Sequence, residues 1–160
     1  MVKLRNKVRE AYSGIDVQLR QRFNLLPKLA EIVKAYAIHE QGIFQQLANS
    51  LKNSANANNI KEQEKAENEL KTHVQQIMNL AISYPELKAN ENFLNLQKTL
   101  TDTEEEIERA RRYYNALVRD YNTDIEKFPV VLIAKNFGFE SFEFFTISNA
   151  EERNMPNFSL

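Results

Sequence analysis

At 160 residues, 42% of them apolar, the chain is long enough for one domain with a single sizeable core and too apolar to be disordered throughout. Twenty-one basic against twenty-two acidic residues leave a net charge of −1, which removes the electrostatic case for nucleic-acid binding. The absence of cysteine excludes disulfides and thiol catalysis, no apolar run reaches the roughly 18 residues a membrane span needs, and no secretory signal is visible.

Apolar residues recur every three or four positions along nearly the whole chain, the signature of an all-α helical bundle. The first stripe is Leu4, Val8, Tyr12, Ile15, Leu19, Phe23 and Leu26, on one face of a helix over 3–23. It resumes as Leu29, Val33, Tyr36, Ile43, Phe44, Leu47 and Leu51 in a helix over 25–53. Between them Asn24 suits an N-cap and Pro27 a first turn, so a break is expected there. One kinked helix over 3–53 is the competing reading, but it would leave an apolar stripe with little to pack on. The Asn-rich stretch 52–59 reads as a loop. A helix over 60–82 follows, with Leu70, Val74, Ile77 and Ala81 inward, and Tyr84-Pro85 ends it. The last long helix covers 86–126, with Asn90 as an alternative cap. Its inward residues are Phe93, Leu96, Leu100, Ile107, Tyr114, Leu117, Tyr121 and Ile125.

After Phe128-Pro129 the character changes. A short helical turn is expected near 130–136, then a tail over 137–160 that begins with Phe137, Phe139, Phe142, Phe144 and Phe145 and carries Phe158 near its end. These aromatics either cover an open side of the bundle or form an exposed patch for a partner or membrane. Charge is uneven along the chain. Residues 1–35 carry eight basic and three acidic groups, and residues 86–108 two basic and seven acidic, which favours pairing of those segments.

Catalytic patterns are scarce. A di-metal bundle site needs Glu-x-x-His, but Tyr36 and Leu70 stand three residues before His39 and His73. Glu104-Glu105-Glu106 point to different sides of a helix and cannot converge on one bond. Gly14, Gly42 and Gly138 are isolated, so no phosphate loop is formed. No catalytic residue, cofactor or metal ligand is therefore assigned. The polar residues beside the core stripes are more informative. Asp16, Arg111, Asn115 and Asn122 are candidates for a buried polar network, with an Asp16–Arg111 pair fixing helix register.

The segments Leu4-Arg5-Asn6, Ile15-Asp16-Val17-Gln18-Leu19 with Arg20, Arg22, Asn24, Leu25 and Pro27, Tyr84-Pro85-Glu86-Leu87-Lys88-Ala89-Asn90, Tyr121-Asn122-Thr123 and Phe137-Gly138-Phe139 together resemble the bacterial LemA family. Ala66-Glu67-Asn68, Thr103-Glu104, Ile107, Arg111 and Tyr114-Asn115 extend the likeness over essentially the whole chain. Tyr12, Lys28 and Ala30 depart from residues common in that family, without disturbing any identifiable chemistry.

The resemblance implies an up-and-down antiparallel four-helix bundle of unassigned biochemical function, and a transmembrane helix just before residue 1. Lys3, Arg5, Lys7 and Arg9 would then be juxtamembrane, favouring a bundle on the cytoplasmic side of the membrane. The expected function is a non-enzymatic, membrane-tethered scaffold for an unidentified protein partner. The rival readings are a bundle binding a metal or small ligand and a peripheral module for anionic lipid.

Overall fold

The computed structural model describes residues 1–146, and every regular element among them is helical. The elements are α1 (Val2–Tyr36), α2 (Gln41–Ala55), α3 (Ile60–Ser83), α4 (Pro85–Lys88), α5 (Glu91–Glu126) and α6 (Val131–Ala134), followed by a 3-10 turn at Lys135–Phe137. The expected tail beyond Thr146, with Phe158, lies outside the described residues.

The expected break at Asn24–Pro27 is not found. α1 runs through Pro27 to Tyr36, and the chain turns at Ala37–Glu40 instead. A proline inside a helix removes the hydrogen bond to the carbonyl four residues earlier. Here Pro27 faces solvent, so water can serve that carbonyl. The opposite face carries Leu26, Leu29 and Val33, all fully buried and in phase across the proline. The concern that one long helix would lack a partner fails for a simple reason. α5, at 36 residues, lies antiparallel to α1, at 35, and covers both halves of its stripe.

The other boundaries follow local chemistry. Asn59 caps α3, its Oδ1 accepting from the Glu62 amide at 2.8 Å, and the Glu62 carboxylate accepts in turn from the Asn58 amide. Asn90 caps α5 by accepting from the Phe93 amide. The helix expected over 86–126 is therefore divided: Pro85–Lys88 is a separate turn and α5 begins at Glu91.

Buried apolar residues fall into two clusters. One, the hairpin lobe, joins Leu26, Leu29 and Val33 of α1 to α2, α3, α4 and the first half of α5. The other, the terminal lobe, joins Val8, Ala11 and Ile15 to Tyr114, Val118, Tyr121 and Ile125, together with Ala134 and Phe145. α2 pairs with α3, whereas α3 and α5 never approach within 8 Å Cα to Cα, so side chains alone bridge their seam.

Replacing Pro27 by Ala tests the unbroken helix. The substitution restores an intrahelical hydrogen bond and should stabilise the fold by ~1–3 kcal/mol, read as a raised melting temperature by far-ultraviolet dichroism. A helix starting at Pro27 would instead show no gain.

Candidate functional site

Between the two apolar clusters lies a charged layer. Arg22, Glu67 and Arg111 stand on the inward faces of α1, α3 and α5, and on α1 Arg22 is buried where the stripe was expected to bury Phe23, which is exposed. Arg22 is 6% exposed and Glu67 5%. The Arg111 guanidinium donates to Glu67 Oε2. Arg22 Nη2 lies 3.7 Å from Glu67 Oε1, and Arg22 Nη1 donates to Glu104 Oε1 at 2.7 Å. Two cations and two anions thus balance. Burial, then the Arg22 charge, pushes Arg111 down to about 10, opposed by Glu64. A guanidinium so placed still carries its proton at neutral pH.

An open cleft of about 230 Å³ lies beside the layer, lined by Arg22, Glu64, Glu67, Lys71, Glu104 and Arg111 among others. The layer joins α1, α3 and α5 electrostatically across the seam where backbones stay apart. Asp16, expected to pair with Arg111, is instead half exposed and bridges to Arg20 at 3.1 Å on its own helix. The spacing of the stripes placed Asp16 near the core, but its carboxylate lies on the flank of α1 and reaches water.

Asn115 and Asn122 are brought together with the Phe-rich tail. Asn115 accepts from the Phe145 amide at 2.9 Å and donates to the Phe145 carbonyl at 2.8 Å. Asn122 does the same with Phe142, both at 3.0 Å. Tyr114 Oη donates to the Glu143 carbonyl at 3.0 Å, and Glu64 accepts from the Thr146 amide and hydroxyl. The result is an extended strap, residues 139–146, laid antiparallel along α5.

The strap's period is three. Phe139 and Phe142 are half-buried and Phe145 is 3% exposed, while the residues between them face out. A strand alternates every second residue and would turn Phe142 and Phe145 to opposite faces, whereas a polyproline-II-like chain repeats every third. Phe145 meets Tyr114 edge-on at 5.3 Å and stacks on Tyr12, and Phe142 meets Tyr121 at 5.0 Å. Arg5 lies over Phe139 and Arg111 over Phe145.

The five phenylalanines therefore divide. Phe139, Phe142 and Phe145 pack inward, whereas Phe137 is 69% exposed and Phe144 half exposed. Phe137 is one of five exposed apolar side chains within residues 128–137, with Phe128, 80% exposed, and Val131, Leu132 and Ile133 of α6. Met1, Leu4 and Val130 pack against the same buried cluster as Ala134, so this segment lies where α1 begins. Lys3, Lys7 and Arg9 are exposed at that end, as are Lys127 and Lys135, and Arg5 is half-buried. Elsewhere, His73 meets the Ser50 hydroxyl between α3 and α2. Among the described residues no three His, Asp or Glu side chains gather closely enough to hold a metal ion, and no helix is long and apolar enough to cross a membrane.

Reading the sequence for stripes missed Arg22, Glu67 and the period of the strap. A charged residue on the inward face of each of three helices was the available signal for the first two. The spacing of Phe139, Phe142 and Phe145 was the signal for the third.

A family model described as LemA family matches residues 11–159, and the chain belongs to that family. No curated protein matches it.

Two measurements test the site. Glu67→Gln leaves the Arg111 guanidinium without its anion and Arg22 with Glu104 alone, and should cost ~3–5 kcal/mol in urea unfolding, whereas the combined change Arg22→Met, Glu67→Leu, Arg111→Met should be neutral or stabilising. Tyr114 provides the second. Burial, then Tyr12 and Glu143, raises its hydroxyl from 10.0 to about 12. Below the unfolded value both states are protonated and the contribution is complete. Above it the unfolded chain ionises first, so stability falls as pH rises through the folded value. Between pH 10 and 12 the wild type should lose stability more steeply than Tyr114→Phe, as read from melting temperatures.

Proposed function

We propose that this LemA-family chain is a non-enzymatic, membrane-tethered module that binds another protein. In this reading α1, α2, α3 and α5 form an up-and-down antiparallel four-helix bundle, and the strap completes its terminal lobe. The observation that carries it is the group of exposed apolar side chains Phe128, Leu132, Ile133 and Phe137 at the end where α1 starts, read as one patch. Contiguous exposed apolar side chains cost solubility, and in a folded domain they mark a docking surface. The charged layer favours binding over catalysis, since Arg22, Glu67, Arg111 and Glu104 are engaged with one another. The tether follows from the family resemblance. Lys3, Arg5, Lys7 and Arg9 then favour a cytoplasmic bundle at the inner face of the membrane.

A second reading rests on Lys3, Lys7, Lys127 and Lys135 beside the same patch. Apolar side chains with a basic surround also suit an anionic lipid surface.

A photo-crosslinking residue at Leu132 or Phe137, in the natural protein in its own cells, tests both. One reproducible protein adduct, lost when Phe128 and Ile133 are changed to Ser, is the expected result. Adducts to lipid alone, with salt-sensitive binding to anionic vesicles, would replace the first reading by the second. Stoichiometric iron, manganese or zinc in the purified protein would overturn the non-enzymatic assignment.

A further inference from the structure

The strap is held in an unusual way for a structural element. Its partners on α5 read its backbone: Asn115 takes both polar groups of Phe145, Asn122 both of Phe142, and Tyr114 the Glu143 carbonyl. The spacings agree. Seven residues of helix advance about 10.5 Å, and three residues of a polyproline-II-like chain about 9.3 Å, so two asparagines seven apart meet two residues three apart in register. Side-chain identity enters only at every third position. There, Phe139, Phe142 and Phe145 face Arg5, Tyr121, Tyr12, Tyr114 and Arg111.

The sequence of the strap matches that geometry as triplets: Phe139-Glu140-Ser141, Phe142-Glu143-Phe144, Phe145-Thr146. Guanidinium groups flank the aromatic positions: Arg5 lies over Phe139 and Arg111 over Phe145. A site that reads backbone amides through side-chain amides, with pockets at one position in three, has the chemistry of a peptide-binding site.

We propose that the groove between α1 and α5 is a docking site for an extended aromatic segment of a partner protein, with phenylalanine at every third position, and that residues 139–146 fill it in cis. Asn115 and Asn122 are its backbone readers. Arg5 and Arg111, lying over Phe139 and Phe145, favour aromatic rings at those positions. Gly138, with φ +68 at the junction between the 3-10 turn and the strap, is the hinge about which the cis segment leaves. The tethered segment competes at a high effective concentration, on the order of millimolar for a short connection, so a partner must displace it. This assignment rests on the interaction-module reading. It is nonetheless tested apart from the exposed patch, because Phe128, Leu132 and Phe137 are not among the residues that hold the strap.

The probe is a fluorescent synthetic peptide of Gly138–Thr146. It is titrated by anisotropy into the full chain and into a full-chain strap variant, Phe142→Ala with Phe145→Ala, whose groove is unchanged. The variant should bind at least ~10-fold tighter than wild type, because its own strap competes less well. Adding Asn115→Ala and Asn122→Ala should remove that gain. A peptide carrying Phe142→Ala and Phe145→Ala should bind at least ~10-fold more weakly, because it lacks the rings that meet Tyr121, Tyr114 and Tyr12.

A helical, folded strap variant that fails to bind the peptide overturns the proposal. If the strap variant does not fold, native-state hydrogen exchange of the wild type decides. Amides of Phe142 and Phe145 at least ~100-fold less protected than those of Val118 and Tyr121 support a displaceable strap, and equal protection overturns it.

Discussion

The buried charges of Arg22, Glu67, Arg111 and Glu104 constrain the rest of the structure. Apolar packing is nearly indifferent to sliding one helix along another by a heptad, since one leucine replaces another. Charges interlocked over about two turns in the middle of three helices are not. A slip would strand a guanidinium among leucines, and an unpaired buried cation costs several kcal/mol. The layer therefore sets register rather than adding much net stability, and it does so where α3 and α5 have no backbone contact to set it for them. It also divides the interior, so each apolar cluster is short and α1, α3 and α5 are pinned to one another between the two.

The terminal lobe solves a different problem. α2 pairs with α3 and contributes to the hairpin lobe, which leaves the lower halves of α1 and α5 to be covered by something else. An extended chain can do this only if its own peptide groups find partners. A helix offers none along its sides, because its backbone groups are used internally. Asparagine resolves the conflict: its side-chain amide carries both a donor and an acceptor in one plane, as a peptide group does. Two of them on α5 present to the strap what a neighbouring strand would, and Tyr114 adds a third anchor.

Much of the helical architecture was legible because it is written in periodicity. The start of α3, the Asn90 cap and the ends near Ser83 and Glu126 all carry local signals. Pro27 misled because proline chemistry is local, whereas its tolerance in α1 depends on which way it faces and on a long partner helix. For the same reason Asp16 was given the wrong partner. Charge sign and approximate face were readable, but the choice between Arg20 four residues away and Arg111 across the interface depends on where Glu67 lies, since Glu67 is the carboxylate that takes Arg111. Arg22, Glu67 and Arg111 put one charge on the inward face of each of three helices, a pattern that emerges only when the helices are aligned with one another. Asn115 and Asn122 were identified as interior polar residues from their flanking of Tyr114 and Tyr121. That they serve backbone amides could not be read before the tail had a place.

The placement of the strap has a consequence for how the chain is made. Phe145 completes a cluster that begins at Val8, so the terminal lobe closes across nearly the entire described sequence. Contacts this remote are slow to form, because almost all of the chain must be ordered first. During synthesis the first half of α1 emerges well before the segment that covers it. A ribosome would thus display Val8, Ala11 and Ile15 to the cell throughout elongation of the later helices. Lys3, Arg5, Lys7 and Arg9, interleaved with that stripe, are well placed to discourage premature association of the nascent helix. The same basic residues would act twice, first as guards of an unfinished fold and afterwards on the surface of the finished one.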